Sequence, residues 1–219
     1  ELDWASAERS FSVWPDLERL MRAKGVGQFT LESDRRVSGY DVIGVSLSTE
    51  LSYTNLLNAL DLAGLPIHAA ERDDDAPLVV VGGHCAFNPE PIADFVDVVV
   101  LGDGEEASLE LSRIVRDWLD EGRPGGRVGV LERLAHTGMF YVPRFYQVDY
   151  APDATISRIA PVRADIPATI NRWVLTGLDD GPYPKAPVVP MAETVHERYS
   201  VEIFRGCTRG CRFCQAGMI

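Results

Sequence analysis

Three short β-branched runs, separated by segments with helical periodicity, fix the architecture open to this chain. Asp41-Val-Ile-Gly-Val-Ser46, Leu78-Val-Val-Val81 and Asp97-Val-Val-Val-Leu101 have the length and apolar character of strands buried on both faces. Between the first two, Ser52 to Ala63 carries Leu56, Leu57 and Leu60 on one helical face, with Gly64 as its stop. After the third, Glu105 to Glu121 opens on acids that suit a helix start and directs Leu109, Ile114, Val115, Trp118 and Leu119 inward. Strands alternating with helices predict an α/β fold, a Rossmann-like parallel sheet with helices on both faces.

The flanks read differently. Trp14-Pro15-Asp16 predicts a helix start, Leu17, Leu20 and Met21 its apolar face and Gly25 its end, followed by a short strand from Gln28 to Leu31. Met139 to Tyr150 and Thr155 to Ile159 are rich in aromatic and β-branched residues around a turn candidate, Ala151-Pro-Asp-Ala154, which predicts a β-hairpin. Asn171 to Leu175 reads as a further strand, Gly181-Pro-Tyr-Pro-Lys-Ala-Pro187 as an extended linker and Val201 to Phe204 as a last strand. The predicted division is 1–37, a helix-strand segment; 38–135, the Rossmann-like domain; 136–195, a β-rich connector and linker; and 196–219, the start of another domain.

Composition excludes several classes. In 219 residues, 46% hydrophobic and 25% charged residues make a folding chain, and a net charge of −12 opposes general affinity for nucleic acid or anionic membranes. No apolar stretch approaches the ~20 residues of a membrane helix. The densest acidic run, Asp73-Asp74-Asp75, reads as a solvated loop. Four cysteines, three of them in one loop, fit a reducing, cytoplasmic compartment in which thiols serve metals. Cys85, alone after Gly82-Gly83-His84, reads as a small buried group.

That loop is Cys207-Thr-Arg-Gly-Cys211-Arg-Phe-Cys214. Three soft sulfur ligands within eight residues favour iron-sulfur or zinc over hard cations, and Gly206 and Gly210 let the backbone wrap a bulky inorganic core. Zinc would need a fourth ligand to complete its tetrahedron, and no Cys or His follows before Ile219. Three thiolates can hold three irons of a four-iron cluster and leave the fourth open. Zinc and metal-free thiols stay as alternatives; Arg205, Arg209 and Arg212 would favour thiolates and make bare thiols reactive.

The spacing Cys207-x3-Cys211-x2-Cys214, with Phe213 before the last cysteine, resembles the signature of the radical S-adenosylmethionine (SAM) superfamily. Val195 to Gly217, Leu51 to Gly64, Gly82-Gly-His-Cys-Ala-Phe-Asn-Pro-Glu-Pro91 and Gly102-Asp-Gly-Glu-Glu106 resemble a group within it that carries a cobalamin-binding-like domain ahead of the radical domain and has no assigned substrate. The resemblance implies a 4Fe-4S cluster on Cys207, Cys211 and Cys214 whose open iron chelates SAM. It implies reductive cleavage to a 5'-deoxyadenosyl radical, an unidentified substrate and a one-electron donor such as flavodoxin or ferredoxin. Phe213 would shield the cluster or approach the adenine, or else pack in a core. A complete (β/α) barrel takes about 250 residues, so the chain reads as a piece of a longer protein that reaches only the first barrel strand and its cluster loop.

In parallel sheets ligands settle at the carboxyl ends of the strands. Here those ends carry Ser46-Leu-Ser48, Gly82-Gly83 and Gly102-Asp103-Gly104. In the cobalamin-binding domains this region resembles, a serine-bearing strand end and paired glycines line the groove for the cofactor's nucleotide tail, so Ser46, Ser48, Gly82 and Gly83 are the candidate cobalamin contacts. The Asp-x-His-x-x-Gly segment that many such domains use for cobalt does not occur, and Gly82-Gly83 serves equally as a tight packing turn. A second reading of the whole is a corrinoid- or nucleotide-sensing protein with a structural zinc or redox cysteine site.

Overall fold

A computed structural model describes residues 2–180, 201–214 and 216. The chain forms two compact units, Glu1–Trp173 and Val174–Ile219. The first is built on a four-stranded sheet in the order β1 (Val42–Ser46), β2 (Leu78–Gly82), β3 (Val98–Val100), β4 (Phe140–Tyr141). The first three strands are parallel, with Val42 to Ser46 matched to Leu78 to Gly82, and β4 closes the sheet antiparallel to β3.

Alternation along β2 builds two cores. Leu78 and Val80 face one side and pack with α3 (Gly104–Asp120) and α4 (Gly126–His136), whereas Val79 and Val81 face the other and pack with Leu56 and Leu60 of α2 (Tyr53–Leu62). Helices therefore cover both faces, the arrangement of a Rossmann-like α/β fold.

Several local expectations change. The run from Asp41 becomes an edge strand: β1 pairs only with β2, so Val42, Ile43 and Val45 are half-buried and Gly44 and Ser46 exposed. On α3 the buried stripe is Ala107, Leu111, Val115 and Trp118, while Leu109 is 36% exposed. At 100° per residue Leu109 lies some 200° from both Ala107 and Leu111, on the solvent side. Helix α1 (Pro15–Lys24) starts and stops as expected, with Gly25 left-handed at φ 64°, yet of its apolar face only Met21 is buried and Leu20 is 55% exposed. Gln28 to Leu31 is no strand; one antiparallel bridge joins Phe29 to Arg36.

The hairpin forms from β5 (Tyr146–Tyr150) and β6 (Ile156–Pro161), with Ala154 left-handed in the turn, but Phe140 and Tyr141 leave it to complete the main sheet. Asn171 to Leu175 forms a single bridge at Trp173 in place of a strand, and Val201 to Phe204 has no strand assignment. Apart from that bridge, neither segment pairs with a strand among the described residues, so neither forms a ladder. The predicted linker at 181–187 lies outside the described residues.

The acidic triplet is exposed but partnered. Asp74 Oδ1 accepts the Arg127 N–H (2.7 Å) at the start of α4, and Asp73 Oδ1 accepts the N–H groups of Asp75 and Ala76 (3.1 and 2.9 Å). Beneath it, Arg72 and Arg127 are buried around the Asp97 carboxylate, which also accepts the Val79 N–H (2.8 Å). The remaining guanidinium N–H groups go to backbone carbonyls, including those of Ile67, Phe95 and Pro77 (2.7–2.9 Å). Desolvation pulls the Arg72 guanidinium below its usual pKa, against the opposing pull of Asp97.

Candidate metal centre and the carboxyl edge of the sheet

The cysteine loop lies in the second unit. Cys207, Cys211 and Cys214 are free thiols, all exposed. The Cys214 N–H donates to the Cys211 carbonyl (3.0 Å), a tight turn that carries the last two sulfurs on adjacent backbone. Gly206 and Gly210 are left-handed, at φ 79° and 66°, and a Cβ on Gly206 would stand 3.7 Å from the Ala216 carbonyl, so the chain curls back over the loop entrance. Ahead of it Arg205 pairs with Glu202 through Nε and Nη2 (2.7 and 3.0 Å).

Among the described residues no three Cys, His, Asp or Glu side chains stand close enough to share a metal ion. Thiolates repel one another, and a metal's charge is what draws such ligands together, so site formation is coupled to metal binding. The donor set itself suits a soft metal: three accessible sulfurs, two left-handed glycines and no carboxylate in the loop sequence. Phe213 is 92% exposed and belongs to neither hydrophobic core among the described residues.

At the carboxyl edge of the sheet, Ser46 and Gly82 are register partners, with Ser48 and Gly83 just beyond, all but the half-buried Gly82 exposed. The glycines are already engaged by the protein. Gly83 has φ 96°, and a Cβ there would meet the Leu47 carbonyl oxygen at 2.8 Å. The Leu47 backbone is fixed from both sides: its N–H donates to the Gly82 carbonyl (2.8 Å) and its carbonyl accepts the Cys85 N–H (3.0 Å). Gly102, at φ 93°, lies against the Trp173 carbonyl with no room for any side chain.

The structure thus gives Gly83 and Gly102 a packing role and lends cobalamin no support at these strand ends. A cleft of about 760 Å³ does run beside β1 and includes Ser46, but its lining omits Ser48, Gly82 and Gly83. Trp173 is the residue that sequence reasoning missed; Gly102-Asp103-Gly104 signalled a close approach at the end of β3, but not what approaches. Cys85 is buried, as expected, and burial raises its thiol pKa, which makes it a poor nucleophile. Among the described residues no helix is long and apolar enough to cross a membrane.

The described residues define an α/β scaffold with a doubly covered Rossmann-like sheet, followed in sequence by a loop of three exposed cysteines. The family described as "Radical SAM proteins, N-terminal" matches residues 1–143, and the chain belongs to it, within the radical SAM superfamily. It is also similar to the uncharacterized protein MJ0966 of Methanocaldococcus jannaschii, at 26% identity over 201 residues, covering 90% of this chain. The chain spans 35% of the length of that relative. No solved structure matches it.

Proposed function

We propose that the full-length protein is a radical SAM enzyme in which Cys207, Cys211 and Cys214 hold a 4Fe-4S cluster with one iron left open to SAM. The observation that carries this reading is the loop itself: three accessible thiols within eight residues, on backbone turned by two left-handed glycines, in a chain whose first 143 residues match the radical SAM N-terminal family. A reduced cluster of this kind supplies the single electron that splits the SAM sulfonium into methionine and a 5'-deoxyadenosyl radical.

The chain's own residues do the rest. Gly206 and Gly210 allow the main chain to pass close to the cluster core, where a Cβ would hold it off. Arg205, fixed by Glu202, holds a guanidinium two residues before the first cysteine, where it can meet the anionic parts of the bound cofactor. Phe213, exposed beside Cys214, would cover the cluster or the adenine and so keep water from the open iron. A one-electron donor such as flavodoxin or ferredoxin completes the system, and the substrate is unidentified.

The test is anaerobic reconstitution of the full-length protein with iron and sulfide, then dithionite and SAM, with 5'-deoxyadenosine and methionine quantified by mass spectrometry. The reading expects both products in equal amounts. Zinc in the isolated protein with no iron uptake and no SAM cleavage would favour the sensing alternative.

A further inference from the structure

We infer that residues 171–173 are a built-in latch that closes the carboxyl edge of the sheet at β3, so that this Rossmann-like domain holds its own chain where related architectures hold a cofactor. In open α/β sheets that edge is the usual ligand position, and the first turn of the following helix offers free N–H donors to an anion. Here the Trp173 backbone occupies the strand end and takes the N–H of the N-cap residue. The Trp173 N–H donates to the Leu101 carbonyl (2.8 Å), and the Asp103 N–H, at the N-cap of α3, donates to the Trp173 carbonyl (3.0 Å). This forms a parallel bridge between Gly102 and Trp173.

The seat is built on both sides. Gly102 is left-handed and carries no Cβ at the one point where the Trp173 carbonyl comes down, so any side chain would exclude the latch. The Trp173 indole packs on Phe140 with ring centroids 5.6 Å apart, and its Nε1–H donates to the Met139 carbonyl (3.0 Å). Two residues earlier, the Asn171 N–H donates to the Gly138 carbonyl (2.8 Å). Backbone pairing, a ring contact and an indole hydrogen bond thus act on Asn171 and Trp173, immediately before the second unit begins at Val174. At β2 the Leu47 backbone plays the corresponding part over Gly83, so main chain lies against a positive-φ glycine at the ends of both β2 and β3.

Hydrogen exchange on the full-length protein tests the latch without reference to the cluster or to SAM. The amides of Trp173 and Asp103 should exchange roughly a hundredfold or more slower than in the unfolded chain. Gly102→Ala should bring both to near-unprotected rates while the β1 and β2 amides stay protected; Trp173→Phe, which keeps the ring contact, should retain most of the protection. Should Gly102→Ala disrupt the whole domain, Trp173→Gly supplies the same readout with the glycine seat intact. Hydroxocobalamin added to the wild-type protein should not be retained on gel filtration and should leave 101–104 and 171–174 unchanged. Unprotected Trp173 and Asp103 amides in the wild type, or stoichiometric hydroxocobalamin retention with the latch still protected, would overturn the inference.

Discussion

The Arg127 guanidinium grips the buried Asp97 carboxylate through two bonds, Nη2 to Oδ2 at 2.7 Å and Nε to Oδ1 at 3.3 Å. Arg72 reaches the same carboxylate through Nη1 at 2.9 Å, so one anion serves two cations inside the fold. Removing that anion strands both charges. Asp97→Asn should cost about 3–5 kcal/mol in urea unfolding, whereas Asp75→Asn, which breaks the exposed pair with Arg123, should cost about 0–1 kcal/mol. Equal effects from the two substitutions would contradict the role given to the buried cluster.

Gly83→Ala should destabilise the domain by roughly 1–3 kcal/mol, the cost of a side chain held in a left-handed conformation, with a further penalty from contact with the Leu47 carbonyl. Gly64→Ala is the informative control, since Gly64 is also left-handed, at φ 73°, but has nothing within 4 Å of its missing Cβ. The difference between the two, read from thermal or urea unfolding, reports the Leu47 contact together with the glycine-restricted backbone of Gly83, whose ψ is −179°.

The N-terminal segment is held by carboxylates, which gives it an acid sensitivity of definite sign. Hydroxyl hydrogen bonds from Thr30, then Ser33 and Tyr40, hold the Glu8 carboxyl at about 2, below its ordinary 4.5. The Ser33 hydroxyl lies 2.9 and 2.7 Å from the two carboxylate oxygens. Because the folded-state pKa is the lower one, this clasp contributes fully above about pH 4.5 and is lost as pH falls towards 2. Carboxyl ¹³C NMR should show Glu8 titrating near 2; a midpoint near 4.5 would mean that the segment is not clasped.

Sequence patterning revealed the elements whose periodicity comes from burial on both sides. The valine runs of β2 and β3 and the Leu56 and Leu60 stripe of α2 could face only a core. It was blind where tertiary pairing decides the outcome. Helix α4 went unread because Gly125, Gly126 and Gly129 disguise its start, and the start depends on Asp74, more than fifty residues earlier. Phe140 and Tyr141 look like one arm of a hairpin until β3 offers them an edge. For the cysteine loop the reverse holds: residue type and spacing were plain in the sequence, whereas chain contacts among the described residues do not gather the three side chains.

The most direct test counts iron in the reconstituted full-length protein and in its single cysteine variants, then follows the reduced protein by electron paramagnetic resonance as SAM is added. The account predicts about four irons per chain, loss of most of them on replacing Cys207, Cys211 or Cys214 by serine, none lost with Cys85→Ser, and a spectrum that changes when SAM reaches the open iron. Full iron retention in any of the three loop variants, or a reduced spectrum indifferent to SAM, would contradict it.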